Sequence, residues 1–186
     1  MSPIKHLTTE ELEAGLETIR QAPADFGSLK LIVRRPQVDR RETLETAELD
    51  LQTGLVGDNW KARGSSRTSD QSAHPGMQIT LMNSRAIALI AVEQDRWPLA
   101  GDQLYVDLDL SAANLPAGTR LALGEAILEV SEIPHTGCAK FVARFGLDAQ
   151  KFVNSPAGKE LHLRGINARV VQAGVIQVGD TIQKIQ

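Results

Sequence analysis

From residue 104 to residue 110 the chain alternates. Leu104, Val106, Leu108 and Leu110 are apolar, and Asp107 and Asp109 stand between them as polar residues. A period of two marks a strand that buries one face. Similar short runs recur at 29–34, 44–51, 77–82, 121–123, 126–130, 166–171 and 181–185. Turn residues punctuate them: Pro36, Gly54, Gly57, Gly101, Pro116, Gly118, Gly124, Gly165 and Gly179. Gly54 and Gly57, followed by Asp58, predict tight backbone with positive φ. Gly124-Glu125 between two runs predicts a hairpin. A chain made of many short strands has to curl them into a barrel or stack them as a sandwich. There is no repeated strand–helix–strand pattern, no internal repeat and no glycine-rich phosphate loop.

Helical spacing is confined to short stretches. Residues 8–22 carry Leu12, Leu16 and Ile19 at helical intervals, with Thr8 and Glu11 placed as a capping box and Pro23 as the stop. Asn83 or Ser84 caps a second helix running to about residue 94. A third opens at Cys138 with Phe141, Val142 and Phe145, and Asp148 caps a short one to Val153. Residues 61–76 are polar and read as a long loop carrying Lys61, Arg63, Arg67 and His74, a class of loop that is often functional or mobile.

The chemistry points to the segment from Ile133 to Phe141. It contains the single cysteine of the 186 residues, Cys138, together with His135 and Lys140. Two readings of Cys138 stand side by side. A thiol where a strand gives way to a helix is placed to react, since nearby cations and free N–H groups stabilise a thiolate. A free cysteine is also a common apolar filler of cores. His135, three positions away, is the natural partner for a catalytic dyad, although such partners usually meet through the fold. Between His135 and Arg169 stand Lys140, Arg144, Lys151, Lys159, Arg164 and Arg169, opposed only by Asp148 and Glu160, in a chain whose net charge is −3. That local excess favours anionic ligands such as phosphate.

Composition bounds the rest. The length suits one domain with a sizeable core. The net charge gives no basic field for nucleic acid or membrane. One cysteine forbids an internal disulfide and fits a reducing compartment. The first residues lack the apolar core of a signal peptide and no apolar run could span a bilayer, so the expectation is a cytoplasmic protein. Nothing in the spacing of His6, His74, His135 and His162 predicts a zinc site with Cys138.

Several segments, in order, resemble the MOSC domain, the module related to the C-terminal part of molybdenum cofactor sulfurases. They are Gly54-Leu55-Val56-Gly57-Asp58 with its polar loop, the stretch from Gln78 to Ile87, the cysteine segment Cys138-Ala139-Lys140-Phe141, Arg164-Gly165-Ile166-Asn167-Ala168-Arg169-Val170, and Ile176-Gln177-Val178-Gly179-Asp180. The likeness implies a mainly β fold, a MOSC-type β-barrel with a few peripheral α-helices over residues 27–186, and a helical appendage at 1–26. It implies a role with the molybdenum cofactor (molybdopterin) or with activated sulfur, independent of pyridoxal phosphate. Cys138 would carry a persulfide or ligate the metal, with His135 beside it as the other catalytic candidate. Asp58, Arg67, Lys140, Arg144, Arg164 and Asn167 would hold the cofactor. A cysteine desulfurase would donate the sulfur, because the aminotransferase-like part of the large sulfurases is not in this sequence. A molybdoenzyme or an electron-transfer partner would act downstream. Two other readings remain: a molybdenum-dependent reductase of N-hydroxylated compounds, and a non-catalytic ligand-binding barrel with a buried structural cysteine. Two places depart from the family pattern. Asn59-Trp60 stands where a basic residue and histidine are usual, and Gln103-Leu104-Tyr105 where a Glu-Asn pair is usual.

Overall fold

The computed structural model describes residues 5–185. Its strands in chain order are β1 (Gly27–Arg34), β2 (Glu42–Leu44), β3 (Thr46–Asp50), β4 (Gly54–Leu55), β5 (Ile79–Asn83), β6 (Leu104–Asp107), β7 (Arg120–Leu123), β8 (Ala126–Pro134), β9 (Ile166–Gln172), β10 (Gly174–Gln177) and β11 (Thr181–Ile185). The helices are α1 (Thr9–Ala14), α2 (Leu16–Arg20), α3 (Trp60–Arg63), α4 (Ser84–Ala91), α5 (Ala139–Phe145), α6 (Leu147–Asn154) and α7 (Pro156–Glu160). Seven strands close into a barrel in the order β1–β6–β5–β9–β8–β7–β11, and β11 pairs back to β1. Only the β5–β6 pair among them is parallel. β2 prolongs the pairing of β1, and β10, β3 and β4 form a small separate sheet.

There are two cores, because the helices cover the outer face of the barrel at β1, β5 and β6. Leu29, Ile32, Leu81, Leu104, Val106, Leu121, Leu128 and Ile182 fill one cluster. Their neighbours in sequence, Val33, Met82 and Tyr105, join a second cluster with Leu12, Ile87, Phe141, Phe145, Phe152 and Leu163 from the helices. Alternation along β1, β5 and β6 sends residues to each core in turn, so a slip of a single residue there would exchange the two sets. The same geometry explains why every residue of β5 is buried.

Three expectations are refined. The helix over 8–22 divides at Gly15 into α1 and α2. An added Cβ at Gly15 would lie 2.5 Å from a Leu89 methyl, so the break lets this corner press onto α4. The strand over 104–110 ends at Asp107, yet Leu108 and Leu110 still enter the barrel core. The polar loop over 61–76 begins in α3 and ends in a 3₁₀ turn, Pro75–Met77. The capping box at Thr8 forms, and Gly54 and Gly57 take positive φ.

Candidate functional site

One mouth of the barrel gathers the chemistry. The end of β1 and the end of β8 meet the starts of β6 and β9 there, and α5 leans over the opening. A pocket of about 240 Å³ lies among them. Its lining includes Cys138, His135, Asn59, Thr80 and Asn167, six basic side chains (Arg35, Arg41, Arg63, Lys140, Arg144 and Arg164), and one carboxylate, Asp39.

Cys138 is exposed and occupies the N-cap position of α5 in an extended conformation, and its side chain makes no capping hydrogen bond. The reading of Cys138 as a packed filler is therefore overturned. α5 is fixed beneath by Phe141 and Phe145, both buried, with ring centroids 5.0 Å apart.

The cations fall into two groups. Arg35 and Arg164 are held by buried carboxylates. Asp58 accepts from Arg35 through both oxygens, at 2.8 Å each, and also from the Arg35 and Trp60 backbone N–H groups. The third guanidinium nitrogen of Arg35 donates to the Gly101 carbonyl at 2.9 Å. Arg164 donates to Asp102 and to the Ala100 carbonyl, and its guanidinium stacks 5.1 Å from the Phe141 ring centroid. Asp58 and Asp102 have fully buried side chains. The bidentate contact of Arg35 with Asp58, and the paired donation of Arg164 to Asp102 and the Ala100 carbonyl, fix direction as well as charge. At the rim, Lys140 and Arg144 both donate to Asp39 at 2.9 Å. Arg41 and Arg63 have no carboxylate of their own among the described ion pairs. Loss of water, then the charge of Arg144 for Arg41 and of Arg35 for Arg63, holds both below the ordinary arginine pKa.

His135 is not one of the cations. Burial first, and then the charge of Arg164, pushes its pKa down to about 3, so the ring is neutral near pH 7. Its Nδ1 stands 3.3 Å from Asp102 Oδ1, but both atoms are buried without a hydrogen-bond partner, so this contact is no ion pair. Gly165 permits the close approach. At φ +109 it sits where an added Cβ would collide with the Leu81 carbonyl and lie 3.2 Å from His135 Nδ1. Asn167 donates to the Ile133 carbonyl at 3.0 Å and leaves its Oδ1 buried and unpartnered.

Comparison with known proteins agrees with this architecture. The MOSC domain family model matches residues 68–183. The chain belongs to the MOSC domain family. Solved structures share the fold. The YuaD protein from Bacillus subtilis is 16% identical, with a TM-score of 0.64, and the match covers 86% of this chain and 97% of YuaD. YiiM from Escherichia coli is 20% identical with a TM-score of 0.55, over 86% of this chain and 70% of YiiM. YiiM from Geobacillus stearothermophilus is 17% identical with a TM-score of 0.53, over 88% and 74%. No curated protein sequence matches.

In this MOSC barrel the expected residues divide. Cys138, His135, Lys140, Arg144, Arg164 and Asn167 line one pocket. Asp58 lies behind it and orients Arg35. Arg67 is exposed in the loop after α3 and lies outside the pocket lining. Arg35, Arg41, Arg63 and Asn59 reach the pocket from the first third of the chain, and Asp102 supports it from behind. Sequence reasoning missed them as site residues, although Arg34-Arg35 and Arg40-Arg41 bracketing the Pro36 turn were an available signal. The departures from the family pattern also separate. Asn59 places an unpartnered amide oxygen in the lining. Gln103 is structural: its side chain accepts from Thr80 at 2.8 and 2.9 Å and donates to the Gln78 carbonyl, tying β5 to β6. Among the described residues, no three His, Cys, Asp or Glu side chains group as metal ligands. No helix among them is long and apolar enough to cross a membrane.

Proposed function

We propose that this MOSC protein binds the molybdenum cofactor through its anionic part and presents Cys138 as the reactive thiol beside it. One observation carries the reading: an exposed thiol shares a pocket with six basic side chains, and two of them, Arg41 and Arg63, have no carboxylate partner among the described ion pairs, while Lys140 and Arg144 share one exposed carboxylate. Arg41 and Arg63, without counter-ions of their own, are repelled by their arginine neighbours, and an incoming phosphate would relieve that repulsion. Arg41, Arg63 and Arg35 supply a phosphate cradle on one side and Lys140 and Arg144 on the other. The donor set suits the group. The pocket offers one thiol, Cys138, as the soft ligand that would hold the metal, and its basic side chains would hold the anionic part. When bound, the cofactor supplies a redox-active metal.

Sulfur transfer uses the same thiol. In its ionised form Cys138 attacks the outer sulfur of a donor persulfide. The donor's S–S bond breaks, the donor leaves as a thiolate, and Cys138 now carries the outer sulfur as a persulfide, with no net oxidation. The donor expected is a cysteine desulfurase, and the acceptor a molybdoenzyme. His135, neutral and wedged against Asp102, shapes the floor of the pocket and is not protonated at neutral pH.

The test is direct. Protein produced with cofactor synthesis active is expected to carry molybdenum, pterin and cyanide-releasable sulfur, and Cys138→Ser is expected to lose the releasable sulfur. Absence of all three from the unmodified protein overturns the proposal.

A further inference from the structure

A second and larger cavity, about 420 Å³, backs onto the thiol pocket. Its walls are largely apolar: Leu115, Ala117, Val130, Ile133, Val153 and Ile166. Charges of both signs, Glu132 and Lys159, also line it. Three residues, His135, Arg164 and Asn167, line both cavities and so form the partition between them. Arg164 Nε and Asn167 Oδ1 are buried polar atoms with no partner, and His135 Nδ1 faces the equally unpartnered Asp102 Oδ1 at 3.3 Å. Arg164 and Asn167 are only 6% and 1% exposed. Buried polar atoms are rarely left unpaired, and two on one partition call for an explanation.

The two chambers differ in what they can hold. The thiol pocket, about 240 Å³, has the charge to hold an anion. The apolar chamber falls within the roughly 300–1,000 Å³ range of organic-ligand sites, and a few polar groups with a perturbed histidine among them are the usual company of such sites. We propose that the apolar chamber receives the uncharged, apolar ring body of the molecule whose anionic or thiol-reactive end meets Cys138. The ligand class is thus a two-part organic molecule that passes the partition formed by His135, Arg164 and Asn167. This rests on the reading of Cys138 as the reacting group and is independent of molybdenum.

Thiol–disulfide exchange at Cys138 tests it. The purified protein is equilibrated with mixed disulfides that deliver either a methylthio group or a phenyl or naphthyl ring on linkers of two to five atoms, against graded 2-mercaptoethanol. Cys138 attacks the probe disulfide and its other half leaves as a thiol, so intact mass reports the retained group. At one linker length an aryl group is expected to survive about tenfold more reductant than the methylthio group. Ala112→Trp and Ala117→Trp, at exposed positions of the chamber lining, are expected to remove that preference while leaving methylthio labelling unchanged. Equal retention of aryl and methyl groups, or an aryl preference that survives both tryptophans, overturns the chamber assignment alone. A Cys138 that reacts with none of the probes overturns it together with the reactive-thiol reading.

Discussion

The floor and the rim of the thiol pocket use the same chemistry under opposite conditions. On the floor, Arg35–Asp58 and Arg164–Asp102 pair with side chains at most 8% exposed. At the rim, Lys140 and Arg144 share Asp39, whose side chain is 59% exposed. Buried pairs are expensive to desolvate and costly to break, whereas exposed pairs contribute little and are screened by salt. The floor therefore fixes where the guanidinium groups point, and the rim can exchange one anion for another.

The contrast is broken most severely at Asp102. Asp102→Ala leaves Arg164 buried without its carboxylate, and a loss of about 3–5 kcal/mol in unfolding free energy is expected by urea denaturation. Combining Asp102→Leu with Arg164→Met should recover much of that loss, since apolar replacement of a buried pair is often neutral. A loss below about 1 kcal/mol for the single change would make the floor as soft as the rim.

Gly165 is next. Its φ of +109 and its tight approach to the Leu81 carbonyl leave no room for a Cβ. Gly165→Ala is expected to lower stability by about 3 kcal/mol through backbone strain, read by thermal or urea unfolding. Shifted His135 ring resonances should accompany it, because the partition moves with the turn.

His135 sharpens the comparison through pH. Its folded-state pKa of about 3 lies below the ordinary value of 6.5. Above pH 6.5 neither folded nor unfolded chain holds the proton, and the stability is complete. As pH falls from 6.5 toward 3, the unfolded chain gains a proton that the folded chain refuses, so stability is lost. The slope approaches about 1.4 kcal/mol per pH unit, or about 2 kcal/mol between pH 6.5 and 5. His135→Gln should remove that part of the slope, measured as the difference between the two proteins' urea curves at each pH.

How much of this was legible depended on whether the signal was local. The barrel was readable because alternation is local: Leu104, Val106, Leu108 and Leu110 against Asp107 and Asp109 mark one buried face within seven positions. Half of the site was readable for the same reason, since Cys138, Lys140 and Arg144 share one helical segment. The other half was not. Arg35, Arg41 and Arg63 sit in an acidic remainder of the chain and resemble ordinary surface charges, and only the closure of β1 onto β6 brings them opposite α5. Asp58 shows the converse error. A turn aspartate beside two glycines looks like a ligand, but its oxygens are consumed by Arg35 and the Trp60 N–H. No sequence pattern shows that a carboxylate is buried.

Asp39 offers the smallest change in stability and the finest test of the contrast. It stands at φ +61, unusual for a residue with a side chain, in a turn closed by the Arg40 N–H donating to the Gln37 carbonyl at 3.2 Å. The hydrogen bond from Lys140, then its charge, holds the Asp39 carboxyl below the usual carboxylate range, as expected of an anion already seated on a cationic rim. That carboxylate occupies the donors an incoming phosphate would use, so it competes with the ligand. Asp39→Asn removes the competing charge but keeps the shape, and asparagine tolerates left-handed backbone. The melting temperature should be unchanged, while inorganic phosphate, measured by calorimetry at low salt, should bind several-fold more tightly. The gain should shrink as salt is raised, because rim charges are screened and floor charges are not. If Asp39→Asn instead weakens phosphate binding, Asp39 is part of the cradle's architecture and the rim is held as rigidly as the floor.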